Sequence, residues 1–155
     1  MRRRVSGQRG GGMPLSDRAI LWPVLAMVAL TFVVSLVMYR RRIAEMRAKR
    51  IRPQAIATAA MMSAHLEDVG AADNYRNLFE GPVLFYLAAL MAIALKVVSP
   101  PLVVMMWLYV ACRVAHSVIH CTTNRVMHRF MAFLASHAVL FAIWLVVAWS
   151  VANGT

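Results

Sequence analysis

Asp73-Asn74-Tyr75-Arg76-Asn77-Leu78-Phe79-Glu80-Gly81-Pro82-Val83-Leu84-Phe85 carries a polar cluster directly into an apolar run. A carboxylate and an amide therefore enter a segment that otherwise has the composition of a membrane span. An ionisable side chain at that depth is costly, which makes it a candidate site residue and calls for a partner elsewhere in the chain. The uncharged part, 81–95, is short for a span, so Glu80 is expected at or just inside the hydrocarbon boundary.

The surrounding composition agrees. The chain has 155 residues, 61% hydrophobic and 15% charged, with a mean hydropathy of +0.64. This excludes an ordinary soluble domain and points to an all-α membrane protein. A net charge of +11 could suggest nucleic acid, but the basic residues cluster at the ends of apolar runs, where lipid headgroups lie, and no basic groove is interleaved with aromatics. No nucleic-acid partner is expected.

Outward from the opening stretch, four apolar segments define a single four-helix transmembrane domain over 19–152, with helices at about 19–50, 74–98, 101–124 and 127–152. Residues 1–18, with Arg2-Arg3-Arg4 and Gly10-Gly11-Gly12, read as a disordered basic arm. The run from Ala19 to Tyr39 is long enough to span and ends in Arg40-Arg41-Arg42 without a small-residue cleavage site, so it is a span rather than a signal peptide. Ser99-Pro100-Pro101 marks a tight turn with Pro at the first helical positions. The arginine-rich connection after the first span is expected on the cytoplasmic side, although the basic N-terminal arm argues for the opposite orientation.

Alternating helix directions bring the polar ends to one membrane face. Asp73, Asn77 and Glu80 fall at i, i+4 and i+7, and Arg113, His116 and His120 at i, i+3 and i+7, so each set occupies one face of a continuous helix. Glu80 is expected to pair with Arg113, because each alone is costly in hydrocarbon. Arginines with a carboxylate and an amide suit a small anionic ligand that also carries an amine. By residue chemistry alone that ligand is a polyanionic headgroup or a small peptide acid.

Other polar residues have simpler readings. His116 and His120 are spaced as metal ligands can be, but no Cys or carboxylate completes a set on that face, and no metal is expected. His65, Glu67 and Asp68 are expected in solvent, and His137 in an interhelical hydrogen bond. Cys112 and Cys121 lie on opposite sides of one helix and cannot bridge.

At these residues the chain resembles the MAPEG family, membrane-associated proteins in eicosanoid and glutathione metabolism. Arg76-Asn77-Leu78-Phe79-Glu80 is similar to the motif of the family's second span. Arg113-Val114-Ala115-His116-Ser117 is similar to the third-span segment of the microsomal prostaglandin E synthase branch, and the short overall form resembles bacterial members. The resemblance implies a four-helix bundle assembled as a homotrimer in the bacterial inner membrane, with glutathione bound between neighbouring subunits near the cytoplasmic face. It implies glutathione contacts from Arg76, Asn77, Glu80, Arg113, His116 and His120, with one basic residue closing the first span, taken as Arg41. Arg129 would stabilise the glutathione thiolate. The implied activity is glutathione-dependent transfer or peroxide reduction on a hydrophobic electrophile from the bilayer. The alternative is a non-catalytic family member that binds lipid or serves in assembly. The sequence departs from that branch at His120, where the branch has tyrosine, at Phe130, where it has serine, and at Asp73, where eukaryotic members have arginine.

Overall fold

In the computed structural model, which describes residues 15–153, the chain is all-helical: α1 (Leu15–Ala48), α2 (Ala59–His65), α3 (Gly70–Asn77), α4 (Gly81–Ala94), α5 (Pro100–Cys121) and α6 (Val126–Asn153). A 3-10 turn at Pro53–Ile56 precedes α2. Four stretches are long and apolar enough to cross a membrane: Arg18–Ala48, Gly70–Ala94, Pro100–Cys121 and Val126–Asn153. Most of the basic arm expected at 1–18 lies outside the described residues, but Leu15 to Arg18 already belong to α1.

The helix expected at 74–98 is instead two helices. It begins earlier, at Gly70, breaks at Leu78-Phe79-Glu80, and resumes to end at Ala94. Pro82 explains the break: it has no N–H for the Leu78 carbonyl, and its ring clashes with the preceding turn. The chain tightens there, with Phe79 N–H donating to Arg76 O at 3.0 Å and Glu80 N–H to Asn77 O at only 3.4 Å. The Asn77 carbonyl is thus left largely free.

Helix ends elsewhere have local causes. Arg50, Lys96 and Asn124 take positive φ values of 52°, 58° and 46°, the left-handed geometry that ends a helix by turning its backbone back on itself. After α1, Ile51 N–H donates to Met46 O, and after α4, Val97 N–H donates to Ala92 O, both at 2.9–3.0 Å. No glycine announces either stop.

One continuous stripe of α5 forms the middle of the bundle. Leu102, Met106, Tyr109, Arg113, His116 and His120 are all buried, and their spacing follows the helical repeat. The stripe is apolar toward Pro100 and polar toward Cys121. α5 packs against α6, α1 and α3, while α4 packs against α6 and α1. Ala88, Ala89 and Ala92 form the buried face of α4, where small side chains let helices approach closely.

The polar face is tied by specific bonds. Asn74, fully buried, accepts from Ser117 Oγ at 3.3 Å and donates to Cys121 Sγ at 3.5 Å, joining α3 to α5. Arg41 Nη2 donates to Cys121 O at 2.6 Å, and its Nη1 reaches Asp68 at 3.4 Å, so one guanidinium joins α1, the connection and the C-terminal end of α5. Glu45 accepts from the Glu67 and Asp68 backbone N–H groups at 2.8 and 3.3 Å. Lys49 bridges Glu45 and Glu67 at 2.7 and 2.9 Å, and these bonds raise its pKa, Glu45 contributing most. Glu67 and Asp68 are exposed as expected, yet both act as fastenings of the connection rather than as free solvated groups.

Gly70 allows α3 to meet α5. A Cβ there would stand 3.0 Å from the His120 carbonyl oxygen, a backbone atom that cannot turn aside. Gly70→Ala should therefore separate the two helices and cost about 1–3 kcal/mol, measured by unfolding in detergent; unchanged stability would contradict this packing.

Candidate functional site

A cavity of about 280 Å³ opens where α3, α5 and the start of α6 converge, and Asp73, Asn77, His116, His120, Arg129 and Phe130 line it. The polar residues come from three helices, so the bundle geometry alone assembles them. Arg129 is central. Its Nη1 donates to Asn124 Oδ1 at 2.7 Å and to His120 Nε2 at 3.0 Å, while its own carbonyl accepts from His116 Nδ1 at 3.1 Å.

These partners fix the imidazole protons. A carbonyl only accepts, so His116 carries its proton on Nδ1; a guanidinium only donates, so His120 presents a bare Nε2. His116 Nε2 and His120 Nδ1 are buried without partners among the described residues, and the two rings meet edge-on with centroids 5.3 Å apart. Arg129 is therefore oriented by two neutral acceptors, and no carboxylate among the described residues forms an ion pair with it. Its positive charge remains available to a ligand.

Arg113 takes a different place from the one expected. It is fully buried, and its Nη2 donates to the Asn77 carbonyl at 3.0 Å. The expected Glu80–Arg113 pair does not form, because the break before Pro82 turns Glu80 to the exposed surface while freeing the Asn77 carbonyl for Arg113. Arg113 Nε and Nη1 have no partners among the described residues, and neither does the buried Tyr109 hydroxyl one turn away. Both sit in the interior of the bundle.

The break also separates residues that a continuous helix would have aligned. Asp73 and Asn77 line the cavity, and Glu80 does not. Arg76 faces a neighbouring cavity with Arg42, and Asp73 borders both. Arg41 is engaged with Asp68 and Cys121, so of the three arginines closing the first span it is Arg42 that lines a cavity. Asn124 was not among the expected site residues; the only hint in the sequence is a polar residue that tolerates left-handed backbone beside Arg125. His137 bonds within its own helix, through Nδ1 to Phe133 O at 2.9 Å, and not across helices as expected. Both cysteines are free, Cys121 buried and Cys112 partly so.

The MAPEG family model matches residues 20–149, nearly the whole of the four-span domain. The chain belongs to the MAPEG family. No curated protein and no solved structure matched it. Membership together with the four apolar stretches makes this a multi-pass integral membrane protein. It belongs to a family that includes glutathione-dependent transferases and peroxidases. Of the residues expected at the site, Asn77, His116, His120 and Arg129 line one cavity within a single chain, and Arg76, Glu80, Arg113 and Arg41 are not among its lining residues.

Because Glu80 is exposed and Arg113 relies on a backbone carbonyl, Glu80→Gln should leave the unfolding free energy of the monodisperse single chain within about 0.5 kcal/mol of the parent. A loss of several kcal/mol would show that the carboxylate neutralises Arg113 after all.

Proposed function

We propose that the protein is an integral membrane enzyme that uses glutathione as transferase or peroxidase on a hydrophobic electrophile drawn from the bilayer. The observation that carries this is Arg129, a guanidinium held in a cavity by neutral acceptors, with no carboxylate partner among the described residues. Such a charge favours the thiolate over the thiol and so lowers the thiol pKa. The thiolate sulfur would attack the electrophilic carbon; the S–C bond forms as the leaving group departs with its electron pair, or as a conjugated π pair moves away and is protonated. Asp73 stands on the opposite helix from Arg129 and suits the ammonium of the peptide, while Asn77 offers its amide to the peptide backbone.

On this reading the lipid side needs no separate channel, and the hydrophobic substrate enters from the membrane in which the spans lie. Alignment of the two substrates then supplies much of the rate advantage. A homotrimer, with the site toward the cytoplasm of a bacterial inner membrane, completes the reading. Glu80 supports assembly: an exposed carboxylate at the edge of a span is better tolerated when a second copy covers it.

The test is a calorimetric titration of the purified protein with glutathione, paired with conjugation of a generic aromatic electrophile and thiolate absorbance in the ultraviolet. Binding and conjugation are expected. Arg129→Ala should lower the conjugation rate by about 10²-fold and abolish the thiolate band, consistent with the loss of one charge-stabilising donor. Absence of glutathione binding would overturn the proposal, and binding without conjugation would favour the non-catalytic lipid-binding alternative.

A further inference from the structure

The short connection between α5 and α6 contains a residue whose backbone and side chain serve different ends. Asn124 takes a φ of 46°, and its N–H donates to the Ile119 carbonyl at 2.8 Å, closing the C-terminal end of α5. From that turn its side chain reaches forward to α6, where Oδ1 accepts from Arg129 Nη1 at 2.7 Å. The turn and the contact are separate demands on one position.

Together they single out an amide. Left-handed backbone is taken readily by glycine, asparagine and aspartate, and at a cost by other residues. Glycine has no acceptor to offer Arg129. Aspartate would offer a carboxylate, and an ion pair at that contact would offset the positive charge that a thiolate needs beside it. Of the three, only asparagine both fits the turn and accepts without bringing a charge.

The contact also decides which edge of the guanidinium is left for a ligand. Asn124 and His120 take both N–H donors of Nη1, at 2.7 and 3.0 Å. Nε and Nη2, which lie side by side along one edge, form no hydrogen bond among the described residues. The charged and titratable groups that line the cavity with Arg129 are Asp73 on α3 and His116 and His120 on α5. Asp73 stands 3.9 Å from Arg76, and both imidazoles are neutral in these contacts, since one faces a carbonyl and the other a guanidinium.

We propose that Asn124 is the positioning residue for Arg129: its amide fixes Nη1 and so presents the Nε and Nη2 edge, with its charge unpaired, to the anionic sulfur of the bound peptide. This rests on the thiol chemistry proposed above. Asn124 does not touch the sulfur and acts only through Arg129. A solvent-exposed residue of a connection, outside the spans, thereby sets how strongly the thiolate is favoured inside the cavity.

The test uses the full chain in detergent with saturating glutathione, following thiolate absorbance against pH and the rate of conjugation of a generic aromatic electrophile. Asn124→Asp keeps the turn and the contact but adds a carboxylate, and should raise the pH midpoint of thiolate formation by about one unit, a tenfold loss of thiolate below the midpoint. Asn124→Gly keeps the turn and removes the contact; conjugation should slow by about fivefold, the equivalent of one net hydrogen bond, while the unfolding temperature stays that of the parent. Arg125→Gln changes the net charge by the same amount one residue away, outside the cavity lining, and should leave the midpoint in place. If Asn124→Asp and Asn124→Gly both match the parent in midpoint and rate, Asn124 is a helix stop and nothing more, and the proposal is overturned. Equal midpoint shifts from Asn124→Asp and Arg125→Gln would overturn it too, by reducing the effect to surface charge. A parent protein that itself forms no thiolate band overturns the thiol chemistry, and the role of Asn124 falls with it; that outcome is read in the parent alone, before any substitution is made.

Discussion

The hydrogen bond from Arg113 to the Asn77 carbonyl is the constraint on which the polar end of the bundle depends. A guanidinium keeps its charge at any accessible pH, and wholly buried among membrane helices it must have an acceptor. In a regular helix each carbonyl is already engaged by the N–H four residues on and has only its second lone pair to offer. Pro82 changes that. By forcing a turn at Leu78-Phe79-Glu80 it leaves the Asn77 carbonyl with only a 3.4 Å bond from Glu80 N–H, and Arg113 takes the vacant lone pair at 3.0 Å. A single imino acid in α4 therefore decides where a charge on α5 is anchored.

The same turn shapes the ligand-facing surface. It tips Asp73 and Asn77 toward α6 and releases Glu80 outward, so that the cavity is bordered by one carboxylate and one guanidinium on opposite helices. Asn74 and Arg41 then lock α3 and α1 onto the end of α5, through Ser117, the Cys121 thiol and the Cys121 carbonyl. Neither of these two side chains needs to meet a ligand. They hold still the helices that carry those that do.

Much of this was legible in the residues themselves. Hydropathy and the placement of basic clusters located four spans, and alternation of direction brought Asn77, His116, His120 and Arg129 to one end, where a single cavity does contain them. What failed was the assumption of one unbroken helix through Glu80-Gly81-Pro82. Proline in the first turn of a helix and proline inside a helix look alike in sequence, and only the packing of α4 against α6 and α1 selects the former. From that one choice follow the missing Glu80–Arg113 pair and the absence of Glu80 from the cavity that Asp73 and Asn77 line. Register along α1 was unreadable for another reason: Arg40, Arg41 and Arg42 are chemically identical, and a turn of about 100° per residue decides which meets Asp68, which meets a cavity and which meets solvent.

Asp73 borders both cavities and stands 3.9 Å from Arg76. The helical spacing of Asp73, Arg76 and Asn77 thereby divides one short helix between two cavities, Asn77 turning to the one that holds Arg129 and Arg76 to the one that holds Arg42, with the carboxylate on the border between them.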